Sequence, residues 1–156
     1  MRFEHFKFID RIVAFDIEAR TVRSLGHVPR ESTIFEHHFP SFPLMPGVLQ
    51  IECMAQTIGW LVMAVSGFAS MPFLAGVKEA KFRTAVMPGD ELEFEGRLVH
   101  EGSGFAVGEC KGGRQGKAIC EAQILYRVAS FPSAEFRSAI LQRAKEIELP
   151  VKELSK

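Results

Sequence analysis

The sequence predicts an α+β domain in which a curved antiparallel sheet wraps around one long helix. Residues 47–66 are apolar on nearly every helical face, which is typical of a helix buried inside a domain. Strand patterns precede this helix, over 11–28, and follow it, over 73–129. The later strands are joined by short turns, which favours antiparallel neighbours. A helix that is apolar on most faces has to be covered, and a curved sheet can cover it.

Bulk composition indicates one domain and excludes some classes of protein. The chain has 156 residues, enough for one core, and 19 basic and 19 acidic side chains, so nothing favours nucleic-acid binding. The 14 Phe residues suit either a large apolar interior with a pocket or a core that happens to use Phe. The three Cys residues match no zinc or redox spacing, and the N-terminus lacks the apolar centre of a signal peptide. We therefore expect a cytoplasmic location, where thiols stay reduced.

The first half of the chain contains two strands, a loop and the long helix. The two strands are expected within 11–28, turning near 17–20. Four prolines fall within 29–46, which indicates a loop of restricted backbone. The helix is expected from Gly47 to about Ser66, and Gly67 favours its end there. Its Glu52 would be costly in lipid, which argues against a membrane span.

The second half is predicted to be a meander followed by a helix. Strands are expected over 73–82, 91–100, 105–111 and 117–129, with a hairpin loop over 112–116. The alternation over 91–100 puts five residues on one face, namely Leu92, Phe94, Gly96, Leu98 and His100. Residues 133–149 show one apolar stripe at helical spacing, formed by Phe136, Ile140, Ala144 and Ile147. We expect this stripe to pack on the body of the protein; the alternative is that it faces a partner. We therefore divide the chain into a domain over 1–130 and a C-terminal helical extension over 131–156.

The segment from His38 to Gln56 holds the candidate chemistry. Prolines stiffen the loop that carries His38 up to Gly47, where the helix begins. Glu52 and Gln56 are four residues apart and share one helix face. Because burying a carboxylate is costly, this face should line a cavity or a subunit interface. A histidine and a carboxylate close in sequence are typical of an acid/base pair in a dry site.

These parts predict a reaction class. His38 would act as a general base and Glu52 as a second acid/base group, while the free N–H at Gly47 would polarise a carbonyl. Such a set suits removal of a proton next to a carbonyl with loss of a neighbouring hydroxyl, which is an elimination of water. The adjacent His37 is an alternative base, although neighbouring side chains usually point in different directions.

Two blocks of the sequence carry a resemblance to a known family. The first block contains His38-Phe39-Pro40, Pro43, Met45-Pro46-Gly47-Val48-Leu49, Glu52 and Ala55-Gln56. The second contains Phe73-Leu74-Ala75-Gly76-Val77, Ala80-Lys81-Phe82-Arg83, Val86 and Pro88-Gly89-Asp90. Together they resemble the FabZ-type 3-hydroxyacyl-[acyl-carrier-protein] dehydratases, and the resemblance covers roughly residues 6–130 in the correct order. It implies a hotdog fold, with an antiparallel sheet around one central helix, and a homodimer whose sheets join. In the family such dimers are often assembled further into a hexamer, a trimer of dimers.

The resemblance also implies roles for individual residues. His38 would take the C2 proton of a (3R)-hydroxyacyl chain carried on acyl carrier protein, facing Glu52 of the other subunit. Glu52 would help the hydroxyl leave, the amide of Gly47 would bind the thioester carbonyl, and three residues would line the site, namely Gln56, Phe39 and Pro46. No metal or redox cofactor is implied, and Glu rather than Asp favours dehydration without isomerisation. Ser41 and His37 stand where the family has glycine, and Cys53 where it has alanine.

Two other functions stay open at this point. A hotdog thioesterase for acyl-CoA or acyl carrier protein thioesters can also place a carboxylate on the central helix, but it needs no histidine in the loop. A non-catalytic acyl-binding subunit, with the tail helix as a docking element, would be expected to lack His38 or Glu52. The presence of both residues favours the dehydratase.

Overall fold

The computed structural model describes residues 1–150 and contains one six-stranded antiparallel sheet in that range. The strands are β1 (Arg11–Asp16), β2 (Thr21–His27), β3 (Ser70–Phe82), β4 (Glu91–Gly102), β5 (Phe105–Arg114) and β6 (Lys117–Ser130). The helices are α1 (Thr33–His37), α2 (Gly47–Val65) and α3 (Ala134–Glu146), preceded by a short 3-10 turn over Phe3–His5. The strand order is β1-β2-β4-β5-β6-β3, and every neighbouring pair is antiparallel. The predicted hotdog arrangement is therefore confirmed.

Helix α2 lies against the sheet and contacts five of its strands, β2 to β6. Two glycines permit the close approach: a Cβ added at Gly96 or Gly108 would fall 2.5 Å from a methyl carbon of Ile58. One buried polar contact joins the helix to the sheet, since the hydroxyls of Ser24 and Thr57 are 2.7 Å apart. Thr57 also donates to the Cys53 carbonyl at 2.8 Å, so Ser24 is the donor in the contact between the two hydroxyls. Helix α2 is long and apolar enough to span a membrane, but most of it is buried here, as in the core helix of a domain.

The loop predicted over 29–46 contains one short helix that was not expected. Helix α1 is five residues long, and the Ser32 hydroxyl caps it by accepting from the Ile34 N–H at 3.2 Å. Phe35 is buried, which ties this turn of helix to the core. His38 follows directly as the C-cap residue. The helix therefore fixes the backbone from which the candidate base projects.

The meander differs from the prediction at three places. Strand β3 begins at Ser70 and includes Pro72, which an edge strand tolerates because one of its two sides has no ladder partner within the chain. A bulge between Leu98 and His100 breaks the alternation of β4, and His100 is exposed rather than on the buried face. The predicted loop over 112–116 is mostly paired strand, and the turn is formed by Gln115 and Gly116, both with positive φ.

Helix α3 packs on the body of the domain. The Ser133 hydroxyl caps it by accepting from the Phe136 N–H at 3.1 Å. Of the predicted apolar stripe, Ala144 and Ile147 are buried and Ile140 is half-buried, whereas Phe136 is 41% exposed. The Ile147 carbonyl accepts from the Ile12 N–H at 2.7 Å, which attaches the end of the helix to β1. The division at residue 130 stays a prediction, and 151–156 lie outside the described residues.

Candidate active site

The loop between α1 and α2 fixes His38 at both its backbone and its ring. Its N–H donates to the Ile34 carbonyl at 2.8 Å, and its own carbonyl accepts from Leu44 at 3.1 Å. The Nδ1 atom lies 3.1 Å from the Leu44 carbonyl oxygen, an acceptor, so we assign the proton to Nδ1. This assignment leaves Nε2 with a free lone pair, which is the form that a general base requires. The ring also stacks on Phe39, with centroids 4.4 Å apart.

His37 has a different environment. Its side chain is exposed, and its Nδ1 lies 3.2 Å from the Thr33 carbonyl of its own helix. The half-buried His38 and the exposed His37 therefore project into different surroundings, as neighbouring residues usually do. This contrast favours His38 as the candidate base.

Gly47 begins α2, and an aromatic ring lies directly over it. The Pro46 carbonyl accepts from the Leu49 N–H at 3.0 Å, whereas the N–H groups of Gly47 and Val48 precede the first intrahelical acceptor. A Cβ added at Gly47 would meet the Phe82 ring at 3.3 Å. The free donors and the positive end of the helix dipole suit an oxygen that gains negative charge. Pro46 is the N-cap residue of α2, and its role as a site-lining residue stays a prediction.

Glu52 is held by Gln56, one turn further along α2. The Gln56 amide nitrogen donates to the Glu52 carboxylate at 2.9 Å. The same amide donates to the Phe6 carbonyl at 2.9 Å, and its oxygen accepts from the Phe8 N–H at 3.3 Å. Gln56 therefore orients the carboxylate and also attaches the N-terminal segment to the helix. Glu52 is half-buried rather than fully buried, so it remains accessible to a reacting group.

Glu52 and Gln56 lie on the wall of a cleft of about 550 Å³. We call it the α2–α3 cleft; it is lined by His5, Phe6, Lys7, Glu52, Ala55, Gln56, Gly59, Trp60, Met63, Met71, Pro72, Leu74, Tyr126, Ala139, Ile140, Arg143 and Glu146. Its volume is in the range of small-molecule sites, about 300–1,000 Å³. His38, Phe39 and Gly47 do not line it. Within residues 1–150 of one chain, the structure therefore keeps Glu52 and Gln56 together, and His38 and Phe39 together, but does not join the two pairs.

None of the three cysteines lines the α2–α3 cleft. Cys53, Cys110 and Cys120 are all buried and free. Burial raises the pKa of the Cys53 and Cys110 thiols far above its usual value and that of Cys120 to about 11. Thiols in this state do not ionise near neutral pH, which argues against a nucleophilic cysteine.

Sequence reasoning missed two parts of the site. Phe82 over Gly47 stands within the second family-like block, so its position in that block was a usable signal. The α3 wall of the cleft had no such signal, because the pattern over 133–149 shows an apolar stripe but not the surface that the stripe covers. Both parts depend on packing between elements distant in sequence.

Comparison with known proteins identifies the family to which the sequence is similar. A family model described as a FabA-like domain matches residues 2–123. The chain is 34% identical over 125 residues to the 3-hydroxyacyl-[acyl-carrier-protein] dehydratase FabZ of Clostridium botulinum, covering 79% of this chain and 88% of that protein. It is 30% identical over 128 residues to the FabZ of Listeria monocytogenes, covering 81% of this chain and 88% of that protein.

Solved structures of low sequence identity share the architecture. The dehydratase heterocomplex ApeI:P of Xenorhabdus doucetiae has a TM-score of 0.59 at 14% identity, covering 87% of this chain and 90% of that chain. A hypothetical thioesterase with coenzyme A from Streptococcus pneumoniae has a TM-score of 0.61 at 18% identity, covering 79% and 88% of the two chains. At these identities the two structures speak for the fold alone.

Proposed function

Since the chain belongs to the FabA-like family and, within it, to the FabZ-type 3-hydroxyacyl-[acyl-carrier-protein] dehydratases, we propose that it removes water from (3R)-3-hydroxyacyl thioesters of acyl carrier protein. The product is the trans-2-enoyl thioester, and the reaction belongs to fatty acid or specialised lipid biosynthesis. The observation that carries the assignment to named residues is the fixed ring of His38, whose Nε2 is free while its Nδ1 faces a carbonyl. We place the enzyme in the cytoplasm, where its three free thiols stay reduced.

The proposed reaction needs a base, a carbonyl-binding donor and an acid. Nε2 of His38 takes the C2 proton, and the electron pair of that C–H bond moves onto the thioester carbonyl, which becomes an enolate. The enolate pair then forms the C2–C3 double bond as the C3–O bond breaks, and the hydroxyl leaves as water with the proton of the Glu52 carboxyl group, which becomes a carboxylate. The His38 imidazolium then returns its proton to the carboxylate through water, which restores both groups.

The Gly47 end of α2 supports the first step. Removing the C2 proton places negative charge on the thioester oxygen, and the free N–H of Gly47 can donate to it. The 19-residue helix adds the positive end of its dipole at the same point. The Phe82 ring beside Gly47 lowers the local polarity, which strengthens these electrostatic interactions.

A second copy of the chain completes the proposed site. Strand β3 is an edge of the sheet, and it exposes Phe73 and Leu74. Exposed apolar edge strands are templates for pairing with another chain. We infer that two copies pair along β3, so that His38 of each faces Glu52 of the other. The absence of His38 from the α2–α3 cleft of its own chain supports this arrangement.

A thioesterase is the second candidate, because solved thioesterase structures share the fold. Hydrolysis of a thioester by a carboxylate on the central helix does not require a histidine held in the loop. The fixed ring of His38 therefore favours elimination over hydrolysis.

The direct test is conversion of (3R)-3-hydroxyacyl carrier protein substrates, followed by intact-protein mass spectrometry. Wild type is expected to form the enoyl thioester, and His38→Ala and Glu52→Gln are expected to lose at least about a hundredfold in rate, as removal of a general acid or base does. The matched controls are His37→Ala, which removes the adjacent exposed ring, and Glu18→Gln, which removes an exposed carboxylate in a turn. Release of free acid in place of the enoyl product would identify a thioesterase.

A further inference from the structure

One wall of the α2–α3 cleft comes from a part of the chain that the family match does not cover. The FabA-like match ends at residue 123, whereas α3 spans Ala134–Glu146. Four residues of α3 line the cleft opposite α2, namely Ala139, Ile140, Arg143 and Glu146. Their spacing puts them on one face of the helix. Helix α3 therefore forms part of the cavity that contains Glu52.

Two arginines fix the direction of α3 over the cleft. Arg137 donates through Nε to the Phe68 carbonyl at 2.7 Å, just beyond the end of α2. Arg143 donates through Nη2 to the Ile9 carbonyl at 2.6 Å, next to the segment that Gln56 holds. The beginning of α3 therefore lies over the far end of α2, and its last turn lies near Glu52. The two helices run antiparallel with the cleft between them.

The floor of the cleft follows one stripe of α2 away from Glu52. The stripe continues through Ala55, Gly59 and Trp60 to Met63. At the rise of an α-helix, the distance from Glu52 to Met63 is about 16 Å. Beyond Glu52 and Gln56 this stripe carries mainly apolar groups, so it suits an extended alkyl chain that starts at the carboxylate.

Gly59 keeps the middle of this floor open. Glycine inside a helix is less stable than alanine. An added Cβ would meet only the Pro72 ring, at 3.7 Å, which is ordinary van der Waals contact. Packing therefore permits a side chain here, and the effect of the glycine is to leave room between Glu52 and the bulky Trp60.

The charged groups at the rim of the cleft are paired with each other. Glu146 accepts from Arg143 at 3.1 Å and lies 3.7 Å from the ammonium group of Lys7. An alkyl chain passing this rim therefore meets compensated charges, and the cleft offers it an apolar floor. This distribution fits an uncharged hydrocarbon better than an acid.

We propose that the acyl chain of the substrate lies in the α2–α3 cleft and that α3 limits which chains fit, with Ile140 as the main contact. The inference rests on the proposed function for the identity of the thioester, and it adds a specificity element outside the family core. The carboxylate at one end of the cleft places the reacting carbons there, and the tail then extends under Ala139 and Ile140.

A substrate series tests the role of Ile140. For Ile140→Trp we expect kcat/KM for the longest chains that wild type accepts to fall by about tenfold or more, with the shortest chains unaffected, because excluding one methylene from an apolar pocket has effects of this size. Ile140→Ala should shift the preference towards longer chains. The matched control is Gln142→Trp, which adds the same side chain on the exposed side of α3. Identical chain-length profiles for the two Trp variants would overturn the proposal.

A binding experiment keeps this proposal separate from the proposed function. Wild-type protein is mixed with acyl carrier protein that bears a saturated acyl chain ending in a diazirine, irradiated and digested. Adducts within residues 134–146 are expected, and their absence would overturn the proposal. If wild type dehydrates normally but adducts avoid α3, this inference alone fails. If adducts form on α3 but no hydroxyacyl chain is dehydrated, the proposed function fails while acyl binding under α3 stands.

Discussion

The amide of Gln56 donates to the carboxylate of Glu52 at 2.9 Å and to the Phe6 carbonyl at the same distance. One side chain thus orients the proposed acid and attaches the N-terminal segment.

For Gln56→Leu we expect kcat to fall by roughly tenfold, which corresponds to the loss of one charge-assisted hydrogen bond. KM should change little, and Tm should fall, because the Phe6 carbonyl and the Phe8 N–H lose their partner. Gln142→Leu, on the exposed side of α3, is the control. Unchanged kcat in a folded Gln56→Leu protein would show that Gln56 does not position the acid.

Mixing two inactive variants tests whether the site is shared between subunits. A dimer of one His38→Ala chain and one Glu52→Gln chain contains one intact pair if the pair forms across the interface. It contains none if the pair forms within a chain. We expect co-expression of the two variants to restore activity, measured as enoyl formation by a purified, doubly tagged heterodimer. Failure of the heterodimer to gain activity over either homodimer would contradict the shared site.

Gly47→Ala is expected to lower kcat/KM although it keeps the N–H group. The new methyl group would contact the Phe82 ring at 3.3 Å, so the ring or the helix start has to shift. We expect a loss of about tenfold or more, because misplacing a carbonyl-binding donor weakens transition-state stabilisation. In the Gly47→Ala/Phe82→Ala double variant the contact is absent, and part of the activity should return. Additive losses in the double variant would show that the ring is not the cause.

Asp10 should make the stability of the fold depend on acidic pH. Burial alone would raise the pKa of Asp10, but the Met1 ammonium at 2.5 Å and the His27 N–H at 2.6 Å outweigh it and hold the pKa below its usual value. A depressed pKa contributes stability above the unfolded-state value of about 4, and this contribution is lost as pH falls through the folded-state pKa. Asp10→Asn should therefore cost about 1–2 kcal/mol near neutral pH, allowing for solvent screening.

Urea unfolding of wild type and Asp10→Asn across the acidic range checks this prediction. The difference in unfolding free energy between the two proteins should shrink as pH falls below about 4. A difference that stays constant with pH would exclude the carboxylate as its source.

The three thiols should be unreactive in the folded protein. Burial raises the pKa of Cys120 to about 11 and that of Cys53 and Cys110 well above its usual value, so little thiolate is present near neutral pH. Labelling by an aromatic disulfide reagent should reach all three cysteines in denaturant and proceed far more slowly without it. Fast labelling of one thiol in the native protein would indicate local opening around that residue.

Elements with a strong local residue pattern could be predicted from the sequence. Helix α2 was predicted because its residues are apolar on nearly all faces. The pairing of His38 with Glu52, which stays a proposal, was suggested by a carboxylate that is unusual in such a helix. Helix α1 was missed because prolines dominate the composition around it, while its stability comes from the Ser32 cap and the burial of Phe35. Short helices of this kind depend on tertiary contacts that a local pattern does not contain.

The hairpin loop predicted between β5 and β6 was too long because it included Gly112. Gly112 looks like a turn residue in the sequence, but it lies within β5 opposite Cys120. A Cβ there would fall 2.5 Å from the Cys120 sulfur and 2.8 Å from the Phe94 ring. The residue is therefore glycine because two core side chains occupy the space, which is a fact of packing. The α3 wall of the cleft was inaccessible to sequence reasoning for the same kind of reason.

The buried hydrogen bond between Ser24 and Thr57 helps to set the direction of Glu52, which lies on the same helix as Thr57. Thr57 lies five residues after Glu52 on one rigid helix, so a contact that fixes Thr57 about the helix axis also fixes the direction in which Glu52 points. If α2 rotated or slipped by one residue, this hydroxyl contact would break and the carboxylate would turn away from its cleft. The alignment of the proposed acid with its substrate is therefore set from the opposite side of the helix, by a serine on β2 that never meets the substrate.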